Sequence, residues 1–116
     1  MHNRGEVGPA SLDPGRGTEP GKTRPVLVAQ AQALLDASHP STLVIPLNTS
    51  LIDDAVPLRI RVPAFRGLRQ ASDLLVDQLR AIDNRRLGRG PLTRLSPALM
   101  TKVGDALREV LELGEE

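Results

Sequence analysis

The sequence predicts a mainly β domain with minor α content, a small and mostly antiparallel barrel with helices packed against it. Three observations support this fold class. Five short segments have the composition or the alternation of strands, and one segment at the C-terminal end carries a sustained helical period. The 116 residues, 40% of them hydrophobic, suffice for one small core. We therefore expect a single domain over residues 4–114, with terminal tails at residues 1–3 and 115–116.

The first two predicted strands flank a long loop. Residues 5–12 should form a strand, but Gly8 and Pro9 interrupt it. Because Pro cannot donate to a ladder and Gly packs nothing, this predicts an edge strand or a bulge. Residues 14–23 make a loop of ten residues, longer than a hairpin needs, which favours a functional role. Residues 25–30 are aliphatic and predict a central strand.

A short helix and three further strands are predicted next. Residues 31–37 have helix-forming composition, and residues 42–47 predict a strand whose polar end, residues 48–50, suits an anion. Residues 56–62 alternate, and their predicted buried face consists of Leu58, Ile60 and Val62. Arg59 and Arg61 occupy the other face, which is either solvated or a stripe that contacts phosphate. Residues 74–76 predict the last strand.

The C-terminal helix is the clearest element. Ser96 provides an N-cap hydroxyl and Pro97 suits the first helical position. Gly114 is the predicted stop, and Gly104 should cost the helix about 1 kcal/mol relative to Ala. The predicted apolar face comprises Leu99, Val103, Ala106, Leu107, Val110 and Leu111.

Charge and composition narrow the function classes. The net charge of +1 supplies no global field for nucleic acid, so anion binding must be local. Without cysteines there are no disulfides or thiolate metal sites, and Phe65, the sole aromatic residue, argues against stacked aromatics gripping bases. No apolar run approaches the roughly 20 residues that span a bilayer, and no signal peptide is evident, which predicts a cytoplasmic protein without membrane contact. His2 and His39 should be solvent-exposed.

Residues 13–30 superficially suggest a nucleotide-binding P-loop. That motif needs a Gly five residues before the Gly-Lys pair, and this position is Arg16. It must also open a helix, whose amides hold the phosphate. Here Pro25 biases Arg24 toward an extended backbone, and an aliphatic strand follows. The chain is therefore not a P-loop nucleotidase.

Several segments in register resemble the MazF/PemK (Kid) toxin family. Each piece alone is weak, but together they cover nearly the whole chain in the family's order and spacing. The segments are RGEV at 4–7, LDP at 12–14, GTE at 17–19, GKTRPVLV at 21–28, residues 44–50, DQLRAID at 77–83, RLG at 86–88 and LSP at 95–97.

The resemblance implies an SH3-like barrel of the MazF/PemK/CcdB type and a homodimeric toxin of a type II toxin–antitoxin module. The implied activity is sequence-specific cleavage of single-stranded RNA, especially mRNA, without a metal or other cofactor. The implied partner is a MazE-like antitoxin, whose disordered C-terminal segment lies across the RNA groove. Contact with DNA is implied only through the antitoxin complex.

The resemblance also implies catalytic residues. One branch of the family relies on an Arg at the loop–strand junction and a Thr at the end of the third strand, which match Arg24 and Thr49. Another member uses a Glu in the long loop, which falls on Glu19. The Kid branch uses an Asp before Gln, which matches Asp77.

This chain departs from the family at two places. The Kid branch also needs an Arg and a His, whose places hold Leu75 and Thr18, so we favour the Arg/Thr set. The family usually has an aromatic residue, commonly Trp, after Arg-Gly-Glu-Val, and this chain has Gly8 and Pro9 there. The missing ring should affect stability and loop placement more than chemistry.

The favoured residues suit RNA chemistry. A guanidinium stays protonated and grips two phosphate oxygens, and Thr49 can donate one hydrogen bond. Neither Arg24 nor Thr49 is a good base, so Glu19 or Asp77 must help, or cleavage is slow and dominated by electrostatics. Each also has a structural alternative: Arg24 as an ion-pair partner of Glu19 or Asp77, Thr49 as a turn hydroxyl, Asp77 as a loop hydrogen-bonding group and Glu19 as a solvated charge.

The predicted RNA-binding residues are Arg16, Thr18, Lys22, Ser50, Arg59, Arg61 and Gln78. Two other functions stay open at this point. One is a non-enzymatic toxin like the structurally related CcdB proteins, which poison gyrase through protein contact. The other is a decayed member that binds an antitoxin but cuts RNA poorly.

Overall fold

The computed structural model describes residues 2–12 and 22–114, in which one curled antiparallel sheet carries a C-terminal helix. In chain order the elements are β1 (Glu6–Ser11), β2 (Thr23–Val28), α1 (Gln32–Asp36), β3 (Ser41–Asn48), β4 (Arg59–Val62), β5 (Ser72–Leu75), β6 (Arg80–Asp83), β7 (Thr93–Arg94) and α2 (Pro97–Val110). Short 3₁₀ helices span Val76–Gln78 and Asn84–Arg86. The mainly β fold class is confirmed.

β3 is the hub of the sheet. The strand order is β4-β5-β3-β2-β1-β7, and β6 also pairs with β3. The end of β3 pairs with β5, with Asn48 opposite Asp73, and its start pairs with β6, with Ser41 opposite Asp83. The two ends of this one strand thus meet different neighbours along the same edge.

The first strand is neither an edge strand nor bulged, so that prediction was wrong. β1 lies between β2 and β7, and its register with β2 is unbroken, with Pro9 opposite Pro25. The amide of Leu12 donates to the carbonyl of Lys22 at 2.8 Å. Because hydrogen-bonded pairs alternate along an antiparallel ladder, the Pro9–Pro25 pair occupies a non-hydrogen-bonded site. Two prolines fit there without losing a bond between β1 and β2.

Aliphatic side chains fill both faces of the central strands. Twelve buried residues form the larger core: Val7, Leu27, Ile45, Leu47, Ile60, Val62, Leu68, Leu74, Val76, Leu95, Val103 and Ala106. On the other face a smaller cluster contains Ala10, Leu12, Val26, Val44 and Ile82. The sheet is therefore covered by buried side chains on both sides near β1, β2 and β3.

Two predicted apolar positions are exposed. β4 starts only at Arg59, because residues 53–58 form turns in which the amide of Arg59 donates to the carbonyl of Ala55 at 3.0 Å. Leu58, predicted to be buried, is consequently 50% exposed. At the other end of the chain, α2 stops at Val110, before the predicted stop, and leaves Leu111 49% exposed.

The other helical predictions agree with the structure. α1 lies within the predicted residues 31–37. The hydroxyl of Ser96 accepts from the amide of Leu99 at 3.2 Å, and Val103 and Ala106 are the buried residues of α2. Within the described ranges, no helix is long and apolar enough to cross a membrane.

Candidate functional site

Arg24 and Thr49 lie at the same end of two neighbouring strands. β2 and β3 are antiparallel, and the last pair toward this end joins Val26 to Pro46. Continuing two residues along each strand reaches Arg24 on β2 and Asn48 on β3, with Thr49 next. The side chains of both Arg24 and Thr49 are exposed.

A shallow depression of about 220 Å³ adjoins this end of the sheet. We call it the Thr49 depression; it is lined by Pro25, Thr49, Gly67, Leu68, Arg69, Gln70, Ser72 and Leu92. It therefore joins the start of β2, the end of β3 and the connection between β4 and β5. Sequence reasoning did not single out that connection, because it lacks a recognisable motif.

A tight turn in the connection between β4 and β5 forms part of the lining of the Thr49 depression. Phe65 and Leu68 exchange backbone hydrogen bonds of 3.0 and 2.7 Å, which closes a tight turn. Gly67 has a positive φ of 88°, and a Cβ there would overlap the carbonyl oxygen of Leu92. Only glycine fits this position. The turn holds Arg69 beside the depression, and within residues 2–12 and 22–114 the Arg69 side chain has no ion-pair partner.

Arg59 and Arg61 converge on one buried carboxylate. Asp73, 1% exposed, accepts from Arg61 Nε at 2.6 Å and from Arg59 at 3.2 Å. It also accepts from the amide of Ile52 at 2.9 Å. Arg61 reaches Asp53 as well, at 2.8 Å. Arg59, Arg61 and Asp73 are called the Asp73 network below.

The network sets the charge state of its carboxylate. Burial acts to raise the pKa of Asp73, but the hydrogen bonds from Arg61, from the Ile52 amide and from Arg59 outweigh it and hold the pKa below its ordinary value. The carboxylate thus remains ionised and neutralises part of the charge of the two guanidinium groups.

Neither sequence interpretation of Arg59 and Arg61 included this carboxylate. Contact of these two residues with RNA stays a prediction, but their guanidinium groups are already engaged by protein. The pairing of β4 with β5 identifies Asp73 as the partner of Arg61, since the two residues lie directly opposite each other. An acid within a buried strand, facing an Arg of the neighbouring strand, indicates an ion pair.

The structure separates Asp77 from Thr49. Asp77 is exposed in the 3₁₀ helix after β5 and lines another depression, of about 230 Å³, together with Leu58, Arg59, Leu75 and Gln78. Lys22, immediately before β2, and Ser50, immediately after Thr49, are both exposed. Arg16, Thr18 and Glu19 lie outside the described residues.

The two histidines share a surface pocket. His39 is exposed as predicted, whereas His2 is half-buried. Both line a pocket of about 240 Å³ near the start of β3, at the opposite end of that strand from Thr49. In the part of the chain that the structure describes, no three His, Asp or Glu side chains are grouped so that they could hold a metal ion.

Comparisons with known proteins agree along the chain. Residues 3–111 match the family model described as PemK-like, MazF-like toxin of type II toxin-antitoxin system. Endoribonuclease EndoA of Bacillus subtilis is 34% identical over 111 residues, which cover 95% of this chain and 94% of that protein. Endoribonuclease MazF of Staphylococcus epidermidis is 32% identical over 108 residues, covering 92% and 88%.

Solved structures share the fold. MazF from Deinococcus radiodurans superimposes with a TM-score of 0.80 at 21% identity, covering 97% of each chain. An endoribonuclease in complex with its cognate antitoxin, from a mycobacterial species, has a TM-score of 0.79 at 21% identity and covers 100% of both chains.

Proposed function

Because the chain belongs to the family of PemK-like, MazF-like toxins of type II toxin–antitoxin systems, we propose that it is an endoribonuclease toxin. It cleaves single-stranded RNA, including mRNA, at a specific sequence and without a metal ion. It acts in the cytoplasm as a homodimer of the single domain at residues 4–114. The observation that carries this proposal is the end-to-end similarity to two endoribonucleases at 34% and 32% identity.

In the proposed reaction the 2′-oxygen of one nucleotide attacks the adjacent phosphorus. The bond from phosphorus to the 5′-oxygen breaks, the attacking hydroxyl loses a proton and the leaving oxygen gains one. Charge accumulates on the non-bridging oxygens, which preorganised donors stabilise. Arg24 grips these oxygens with its guanidinium, and the Thr49 hydroxyl donates to one of them. Both residues lie at the same end of the neighbouring strands β2 and β3, which supports their action at one phosphate.

Proton transfer falls to Glu19 or Asp77. A carboxylate can take the 2′-hydroxyl proton when it lies within hydrogen-bonding reach. The depression that Asp77 lines does not include Thr49, and this argues against Asp77 as a base that works beside Thr49. Glu19, five residues before Arg24 in the sequence, is therefore the preferred candidate. If neither acts, cleavage depends on electrostatic stabilisation alone and is slow.

RNA binding is assigned to the exposed groups around the same strand ends. Lys22 and Ser50 flank the two proposed catalytic residues, and Arg69 adds a cation on the opposite wall. Arg16 and Thr18 are also proposed to bind RNA at this surface, and Gln78 is proposed to contact RNA from the separate depression that it lines together with Asp77.

The proposed partner is an antitoxin whose acidic, disordered C-terminal segment occupies the RNA surface. A carboxylate-rich peptide can replace phosphates on cationic side chains. A disordered segment loses entropy when it becomes ordered on binding, which lowers its affinity per unit of interface area and permits its release. A peptide of this kind should displace a non-cleavable RNA analogue, and its affinity should fall as salt rises. Independent binding of peptide and RNA to the same dimer would exclude a shared surface.

One experiment separates the proposed function from its alternatives. Purified protein is incubated with a long unstructured RNA in excess chelator, and the new RNA ends are mapped; gyrase supercoiling is assayed in parallel. The proposal expects cuts at one recurring sequence and no effect on gyrase. Gyrase inhibition without RNA cleavage would identify a CcdB-like poison, and no effect on either would identify a decayed toxin.

A further inference from the structure

We infer that Asp73 is a positioning residue for Thr49, acting through the backbone on both sides of that threonine. This inference rests on the proposed function and assigns a role to a residue that contacts no substrate. It also gives Arg59 and Arg61 a role beyond the predicted phosphate contact: they hold the carboxylate that orders the end of β3.

The segment before Thr49 is fixed by strand pairing. Asn48, the last residue of β3, lies opposite Asp73 on β5. The Asn48 side-chain oxygen then accepts from the amide of Ser50 at 2.7 Å, which folds the chain tightly around Thr49. The backbone that enters Thr49 therefore takes its position from the Asp73 strand.

The segment after Thr49 is fixed by the Asp73 network. Arg59 donates to the carbonyl of Ser50 at 2.8 Å while it also binds Asp73. The amide of Ile52 donates directly to the Asp73 carboxylate at 2.9 Å. Two backbone groups within three residues after Thr49 thus depend on this one side chain.

The negative charge of Asp73 is essential to this arrangement. Among the described residues, the groups that hydrogen-bond to its two oxygens are all donors, and two of these donors are cations. An amide in this place would turn one acceptor oxygen into a donor facing other donors. A buried donor without an acceptor is costly, so the segment from Ser50 to Ile52 would move away and take Thr49 with it.

A double-mutant cycle tests the inference. Steady-state cleavage is measured over a range of RNA concentrations, which gives kcat and KM, for wild type, Asp73→Asn, Thr49→Ala and the double variant, with urea unfolding of each. A misplacement of about 1 Å can lower a rate by about 100-fold, so Asp73→Asn should lower kcat by up to about that factor and leave KM nearly unchanged. In the Thr49→Ala background the same substitution should lower kcat by less than about 3-fold. When two residues act as a unit, the effects of their substitutions on the rate are not additive.

Asp83→Asn is the matched control. Asp83 is also an ion-paired acid opposite a terminal residue of β3, but at the start of that strand, across from Ser41. Its substitution should leave cleavage within about 2-fold of wild type, since exposed ion pairs contribute little. Should Asp73→Asn fail to fold, Arg59→Gln removes the bond to Ser50 and keeps the Arg61–Asp73 pair, and the same cycle applies.

The outcomes are distinct. The inference would be overturned if Asp73→Asn, or Arg59→Gln, lowered kcat by the same factor in wild type and in Thr49→Ala. The proposed function would still stand in that case. A wild-type protein that does not cleave RNA would overturn the proposed function and this inference together.

Discussion

The arginines near the strand ends fall into two groups that differ in their partners. Arg59 and Arg61 share the Asp73 carboxylate, whereas Arg24 and Arg69 have no ion pair with any described residue. A guanidinium that is already paired offers less net charge to a phosphate than one that is not. The sequence marks all four residues as basic, and the strand register adds that Arg59 and Arg61 share the carboxylate of Asp73.

Replacing Arg69 by Ala should weaken RNA binding. Each phosphate contact on a single strand contributes about 0.7 to the slope of log affinity against log salt. We expect Arg69→Ala to lower that slope by about this amount, measured by titrating a non-cleavable RNA at several salt concentrations. Arg66→Ala is the control, because Arg66 lies on the same connection but does not line the Thr49 depression. Equal effects of both substitutions would contradict a specific contact by Arg69.

Thr49→Ala should reduce cleavage less than Arg24→Ala. A neutral hydroxyl makes a weaker hydrogen bond to phosphate than a guanidinium does. Thr49→Ser, which keeps the hydroxyl, should retain activity close to wild type in a single-turnover assay. If Thr49→Ser loses as much activity as Thr49→Ala, the methyl group matters and the proposed hydrogen bond is wrong.

At the scale of elements, local signals predicted α2 and the first five strands to within about three residues at each strand end, and they missed β6 and β7. The cap at Ser96 and the three- and four-residue spacing are local, and they remain valid in the fold. β7 has two residues and exists because it pairs with Glu6 and Val7, far away in sequence. Leu58 fits an alternating pattern, yet turns at residues 53–58 remove it from the strand. Contacts of this kind cannot be read from periodicity.

Gly104→Ala should stabilise the protein. Gly104 lies within α2, and a Cβ there would meet no described atom within 4 Å, so the gain in helix propensity of about 1 kcal/mol should appear undiminished. Urea unfolding measures this as a higher midpoint. Gly67→Ala is the contrasting variant, because its Cβ would overlap a backbone carbonyl, and its midpoint should fall. A lower midpoint for Gly104→Ala would mean that α2 packs more tightly than the structure shows.

At the scale of the whole molecule, two buried acids tie distant parts of the chain together. Asp73 joins β5 to β4 and the segment after β3, and Glu6 joins β1 to the N-terminal turn and β7. Glu6 accepts from the amide of Asn3 at 2.9 Å and from Arg94 at 3.2 Å. Burial acts to raise the pKa of Glu6, but the hydrogen bonds from Asn3 and Arg94 outweigh it and lower the pKa below its ordinary value.

These lowered pKa values predict a loss of stability in acid. A carboxylate with a lowered folded pKa binds fewer protons in the native state than in the unfolded chain. Its contribution to the free energy of unfolding is fully present above the pKa of the unfolded chain, which is about 3.9 for Asp and 4.3 for Glu. This contribution is lost as the pH falls through the lower pKa of the folded state. Urea midpoints should therefore fall between pH 5 and pH 3, and Glu6→Gln should flatten that fall. An unchanged pH dependence in Glu6→Gln would contradict the role of Glu6.

The overall architecture was predictable at this scale and the site only in part. Aliphatic segments and a resemblance in register predicted the antiparallel sheet, whereas the catalytic roles of Arg24 and Thr49 stay predictions. Sequence reasoning did not single out Asp73, because the role that we infer for it depends on how β3, β4 and β5 pair and not on any local motif. Arg16, Thr18 and Glu19 lie outside the described residues, and their roles stay predictions.

The rate of RNA cleavage by Arg24→Ala tests the central claim most directly. Wild type and Arg24→Ala are compared on one single-stranded RNA in chelator under single-turnover conditions, with dimer mass and unfolding measured for both. Loss of one preorganised stabilising group should lower the rate about 100- to 1,000-fold while mass and unfolding stay unchanged. Arg24→Lys, which keeps the charge but not the two-pronged grip, should fall between them. Equal rates for wild type and Arg24→Ala would contradict the proposed mechanism.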